Sequence, residues 1–135
     1  MKPNSLAILT AGLGLLLTQA PAWAHHAFAA EYDPNRPATM TGAVTKMEWT
    51  NPHARFYIDV KDAEGKVINW EFELGSPNAL MRRGWSKTAL KPGDMVTVSG
   101  YLAKDGSHLA NARSVSMSDG RKIFAGSPED GGPVQ

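Results

Sequence analysis

The chain has 135 residues, 14 Lys+Arg against 13 Asp+Glu, and no cysteine. These counts exclude disulfides, thiolate metal sites and a cysteine-linked lipid anchor. A formal charge of +1 supplies no basic stripe for nucleic acid, and the length suits one domain with one modest core.

Residues 1–24 carry the anatomy of an export signal. Lys2 gives a basic start, residues 6–17 are almost wholly apolar, and Ala22-Trp23-Ala24 is the small-x-small pattern that signal peptidase cuts. The apolar run is shorter than the roughly 20 residues that cross a bilayer. The expectation is a leader cleaved after Ala24 and a periplasmic protein without a stable membrane anchor; the alternative is an uncut N-terminal anchor. The mature chain then starts on His25-His26 and, with Lys2 gone, is formally neutral.

Residues 25–38 read as an N-terminal arm, because Pro34 and Pro37 oppose regular structure. From Thr39 the pattern is that of a strand. Met40, Gly42 and Val44 alternate with polar residues, and Met47 and Trp49 resume the alternation after a one-residue slip, as at a β-bulge. Asn51-Pro52 turns into a second strand, with Phe56, Ile58 and Val60 on one face and Arg55, Tyr57 and Asp59 on the other. A hairpin loop at residues 62–65 leads to a third, with Ile68, Trp70, Phe72 and Leu74 opposite Asn69, Glu71 and Glu73.

Ser76-Pro77 then reads as an N-cap and first helical residue, with Gly84 at the C-terminal cap. The spacing predicts a short helix over residues 78–83 that offers Leu80 and Met81 to the core. Residues 91–94 turn into a fourth strand whose Val96, Val98 and Leu102 face inward. Residues 104–107 turn into a fifth strand at about residues 108–118, and Asp119-Gly120 allows one more short strand. Residues 126–135 read as a disordered Pro/Gly-rich tail. Three strands, a short helix and two strands form the order of a five-stranded OB-like barrel, here over residues 39–125. A small β-sandwich is the alternative arrangement.

The leading candidate site is metal. A histidine at the exposed N-terminus chelates through its α-amine and ring together, and a second histidine completes a T-shaped set suited to copper. His25 supplies the chelate, His53 is the best partner, and His26 is the alternate ligand. His53 follows Asn51-Pro52, which hold it at the ligand-facing side expected of such a barrel. The bland alternatives are a solvated tail for His25-His26 and a loop-capping hydrogen bond for His53. His108 reads as a surface residue at a strand start.

The second candidate is the face bearing Arg55, Tyr57, Glu71 and Glu73, joined by Tyr101, which would bind a saccharide, peptide or partner protein of the cell envelope. Its bland alternative is a solvated face with cross-strand ion pairs such as Arg55 with Glu71. A hydrolase using Glu71 or Glu73 lacks an activated nucleophile, and no Ser-His-Asp order, Gly-x-Ser-x-Gly, phosphate loop or His-Glu-x-x-His occurs. No catalytic residue is assigned. Trp49, Trp70, Trp85, Phe56, Phe72, Tyr57 and Tyr101 fall mostly on core phases, with Trp85 placed to plug one end of the barrel. The methionines are too scattered for a cuprous site.

Five segments together carry a resemblance: His25-His26-Ala27-Phe28-Ala29, Gly42-Ala43-Val44, Trp49-Thr50-Asn51-Pro52-His53, Trp70-Glu71-Phe72-Glu73 and Leu90-Lys91-Pro92-Gly93-Asp94. In these the chain resembles a family of small exported bacterial proteins of unknown function. Ala27 stands where a serine is common. The resemblance implies export and an OB-like barrel, and it brings no activity and no catalytic residues. A weaker likeness, in strand order and the Pro-Gly-Asp turn, is to periplasmic OB-fold haem chaperones, whose membrane anchor has no counterpart in this reading.

Overall fold

The computed structural model describes residues 28–124. The leader, His25, His26 and the tail at 126–135 therefore lie outside the described residues. A helical turn at residues 28–31 leads into six strands and one short helix: β1 (Tyr32–Glu48), β2 (Arg55–Lys61), β3 (Val67–Glu73), α1 (Pro77–Arg82), β4 (Met95–Ala103), β5 (Leu109–Met117) and β6 (Lys122–Phe124). The strand order is β3-β2-β1-β4-β5-β6, and β3 also pairs with β5. Five strands thus close into a ring, with β6 added outside β5.

β1 makes the ring possible because it serves two neighbours. Residues 43–48 pair antiparallel with β2, while Tyr32 and residues 37–43 pair with β4. The register slips between Val44 and Lys46, where the alternation of apolar residues also slips. Such a bulge bends the strand and increases its twist, which lets one strand turn from one partner to the next. Gly42 sits at this crossing, and a Cβ there would lie 2.2 Å from the Asp59 carbonyl oxygen. Closure on the far side is parallel, Glu71–Glu73 against Leu109–Asn111.

Inside the ring, Val44, Phe56, Ile58, Phe72, Leu74, Val96, Val98, Ala110, Ala112 and Val115 form the buried core. Phe56 and Phe72 stack with ring centroids 5.3 Å apart, and Phe72 neighbours the small Ala110 of β5 in register. Leu80 of α1, with Trp85 and Leu90, belongs to the same core. The helix is short because it is capped at both ends. The Ser76 hydroxyl accepts from the Ala79 N–H at 3.3 Å, and Pro77 occupies the first turn, where no donor is needed. At the other end Gly84 N–H donates to the Met81 carbonyl and Trp85 N–H to the Leu80 carbonyl. That pair is a Schellman motif, and the positive φ of Gly84 (+89°) makes it possible.

Two expectations change. β1 begins at Tyr32, not Thr39, so much of the expected arm is strand. Pro34 is tolerated because pairing with β4 skips from Tyr32↔Ala103 to Pro37↔Tyr101, leaving residues 33–36 out of the ladder, and Pro37 stands at the first position where pairing resumes. Met81 points outward and is 53% exposed; one turn of helix can present only one side to the core, and Leu80 takes it. Among the described residues there are six strands, the sixth being the short one that Asp119-Gly120 allows. Among the described residues no helix is long and apolar enough to cross a membrane.

Candidate functional site

His53 sits in the β1–β2 loop, just after the cis Asn51–Pro52 bond. The next residue is tied down. Ala54 N–H donates to the Gly75 carbonyl, and Leu74 N–H donates to the Ala54 carbonyl. This brings the imidazole beside the end of β3, where Nδ1 lies 2.9 Å from the Leu74 carbonyl oxygen. A carbonyl only accepts, so Nδ1 carries the proton and the neutral ring keeps its lone pair on Nε2. The side chain is 33% exposed, and Glu73 Oε1 lies 3.7 Å from the same Nδ1. The loop-capping hydrogen bond weighed as the bland alternative is present. It fixes the ring without using its second nitrogen.

Glu73 is the hinge of the surrounding network. Arg55 donates from Nη1 to Glu71 Oε1 at 2.7 Å and from Nη2 to Glu73 Oε2 at 3.3 Å. Register places Arg55 opposite Glu73, Glu73 beside Asn111, and Asn111 opposite Tyr101. One row thus crosses β2, β3, β5 and β4 on the outer surface of the ring. Glu73 and Asn111 are nevertheless buried, at 7% and 1% exposure. Their cover comes from the segment entering β1. Phe28 packs against Tyr32 at 5.5 Å and edge-on to Tyr101 at 6.0 Å, and Tyr32 is 1% exposed. Lys104 binds this segment through its N–H to the Glu31 carbonyl and its Nζ to the Ala29 carbonyl.

Burial dominates the electrostatics. It pushes the Glu73 carboxyl above the usual carboxylate range; His53 opposes that shift, Glu31 adds to it, and Arg55 and the Tyr32 hydroxyl oppose it. Burial, then the charges of Glu73 and Glu31, push the Tyr32 phenol far above its ordinary value. The Tyr32 hydroxyl faces Glu73 without a bond of full geometry, and both polar atoms of the Asn111 amide are buried without a hydrogen-bond partner. Burial alone would lower Arg55, but Glu71 and Glu73 outweigh it and raise the guanidinium. Tyr57 belongs to a separate group: its hydroxyl donates to Glu48 Oε2 at 3.1 Å, and Lys46, bonded to Glu48, lies 5.4 Å over its ring.

The residues singled out in the sequence are therefore partly united. Arg55, Glu71 and Glu73 form one ion-paired cluster, Tyr101 shares its row only by register, opposite Asn111, and Tyr57 lies opposite Glu71. His53 borders the same cluster. His108 stands apart, its ring 5.0 Å from Trp70. His25 and His26 lie outside the described residues, and among the described residues no three His, Cys, Asp or Glu side chains gather as a metal site. Phe28, Tyr32 and Asn111 were not legible as site residues. Asn111 gives one faint signal, a poor strand former between two alanines.

Residues 14–112 match the model of the family of unknown function DUF6152. The chain belongs to this family. The match runs from the apolar stretch near the N-terminus into β5 and takes in His25, His53 and the whole Arg55–Glu73 cluster. No curated relative matches the chain.

Proposed function

We propose that this DUF6152 member is an exported, OB-like β-barrel that binds a metal ion, copper first, in the periplasm as a carrier or accessory protein. His25 contributes its α-amine and ring, His53 contributes Nε2, and His26 is the alternate ligand. The observation that carries the reading is the fixed ring of His53. A backbone carbonyl holds Nδ1–H, as commonly found behind metal-binding histidines, and the part-exposed ring keeps Nε2 as the nitrogen a metal would take. Proximity adds support. The chain upstream of Phe28 starts from the patch where Tyr32 meets Glu73, and Glu73 borders His53. His25 lies three positions before Phe28, a span of at most about 11 Å. The barrel reading rests on the ring of five strands and on a capped helix between β3 and β4.

Copper titration of protein recovered from the periplasm, with its N-terminus sequenced, tests the proposal. Tight cupric binding is expected, lost on His25→Ala and on leaving one residue ahead of His25. Equal affinity of processed and extended forms refutes it.

A second reading rests on a different observation, the unpaired amide of Asn111 in the row from Arg55 to Tyr101. There the protein is a non-catalytic module that binds a saccharide, peptide or partner protein across Arg55, Tyr57, Glu71, Glu73 and Tyr101. Such binding survives a chelator and fails on Tyr57→Ala.

A further inference from the structure

We infer that residues 28–36 form a strap, hinged where β1 leaves its ladder, that lifts to uncover the polar row of Glu73 and Asn111. The inference rests on the second reading above, in which that row binds a ligand, and it adds how the row is reached.

Pairing sets the strap apart. Residues 37–41 of β1 are laddered to β4 without a break, whereas upstream only Tyr32 pairs, with Ala103, and residues 33–36 lie outside the ladder. Pro37 brings no N–H to the point where pairing resumes. Residues 34–36 are exposed, as are Ala29, Ala30 and Glu31. Few contacts hold this segment down. Phe28 packs on the rings of Tyr32 and Tyr101, and Lys104 binds the carbonyls of Ala29 and Glu31. To these the segment adds the isolated pair Tyr32↔Ala103 and a 3.5 Å contact from Arg36 to the Ala103 carbonyl. Segments tied by few contacts open before the rest of a domain. The ring stays closed without them, because β4 keeps β5 at Tyr101 and Leu102, and β5 keeps β3.

What the strap covers is a poor match for it. Asn111 is 1% exposed with neither amide atom bonded, and the Tyr32 hydroxyl that the strap itself brings is equally buried and unbonded. Glu73 is shielded beside them. Aromatic cover over an amide and a carboxylate forfeits the hydrogen bonds that water or a ligand would supply. Lifting the strap restores those bonds, and the aromatic packing of Phe28 opposes the lift. Arg55 and Glu71, part-exposed and paired with each other, form the margin of the row that is already open.

The chain has no cysteine, so one introduced thiol reports opening by itself. In the full chain, Asn111→Cys and Ala112→Cys place thiols at adjacent positions that are 1% and 0% exposed. The first lies under the strap and the second in the core of the ring. A thiol reagent should label position 111 at least about tenfold faster than position 112. Urea should speed labelling steeply at 112 and barely at 111, since strap opening exposes little surface. Phe28→Ala should speed labelling at 111 by about another tenfold, the weight of two aromatic contacts. Hydrogen exchange supplies a readout free of introduced thiols. The Lys104 N–H, bonded to the Glu31 carbonyl, should exchange ahead of the laddered amides of residues 97–99 and rise by the same factor in Phe28→Ala. Equal rates and equal urea dependence at 111 and 112, or a Lys104 amide that exchanges only with the ladder, overturn the strap. So does Phe28→Ala that changes neither readout. Failure of the second reading shows separately, as ligand binding that Tyr57→Ala leaves intact while position 111 still labels through local opening.

Discussion

Replacing Gly100 with alanine tests the closure of the ring at its tightest point. A Cβ at Gly100 would lie 1.9 Å from the Asn111 carbonyl oxygen and 2.9 Å from its carbon. Both are backbone atoms, so no side-chain rotation relieves the overlap and β4 must move away from β5 by more than an ångström. Overpacking of this kind costs about 1–3 kcal/mol. Each ladder hydrogen bond that stretches beside the Tyr101↔Asn111 pair adds about 1 kcal/mol. The expected loss is about 3–4 kcal/mol, a large part of the roughly 5–15 kcal/mol that holds a domain together. With a urea dependence of about 1–3 kcal/mol per molar for a small domain, the midpoint should fall by roughly 2 M. Gly65→Ala is the control. Gly65 has φ +82° with nothing within 4 Å of an added Cβ, so its cost should stay near 1–2 kcal/mol. A Gly100→Ala midpoint no lower than that of Gly65→Ala would refute the argument that backbone contact, not conformational preference, fixes glycine at position 100.

Three further outcomes are expected. Tyr32→Phe should cost less than about 1 kcal/mol at pH 7, because the hydroxyl makes no bond of full geometry. The native phenol resists ionisation, so wild-type stability should fall as pH rises above about 10, where the unfolded phenol ionises; Tyr32→Phe should lack that part of the loss in alkaline melts. Glu73 also has a raised native pKa, so its favourable contribution is complete below about pH 4.5 and is lost as pH rises. Glu73→Gln mimics the protonated acid and should gain on wild type as pH climbs past that point; a gain that shrinks instead would reverse the assigned sign. Ser76→Ala should cost about 1 kcal/mol by chemical denaturation, through loss of the cap bond to Ala79.

Local signals in the sequence carried a large share of the architecture. The alternation in residues 55–61 and 67–73 located β2 and β3, and the slip after Val44 located the bulge that lets β1 serve two neighbours. Ser76, Pro77 and Gly84 bounded the helix because capping chemistry is local. What stayed hidden depends on contacts distant in sequence. The prolines at 34 and 37 hid the start of β1, since only the partner strand determines that residues 33–36 lie outside the ladder. Glu73 looked like part of a solvated face because alternation gives a side of the strand, not what covers it. Its cover is Tyr32, forty-one residues earlier, and its neighbour Asn111 arrives through a parallel pairing thirty-eight residues later. The ion pair of Arg55 with Glu71 was legible, because directly opposed strands of one hairpin meet in a predictable register.

The closure of β3 on β5 spans only three residue pairs, Glu71–Glu73 against Leu109–Asn111. Those few pairs give two strands a partner that would otherwise be sought in another molecule, because open strand edges template association between chains. The seam therefore acts as the domain's guard against self-association. A variant that parts it should reveal itself first as protein lost to oligomers at concentrations where the intact ring stays dispersed.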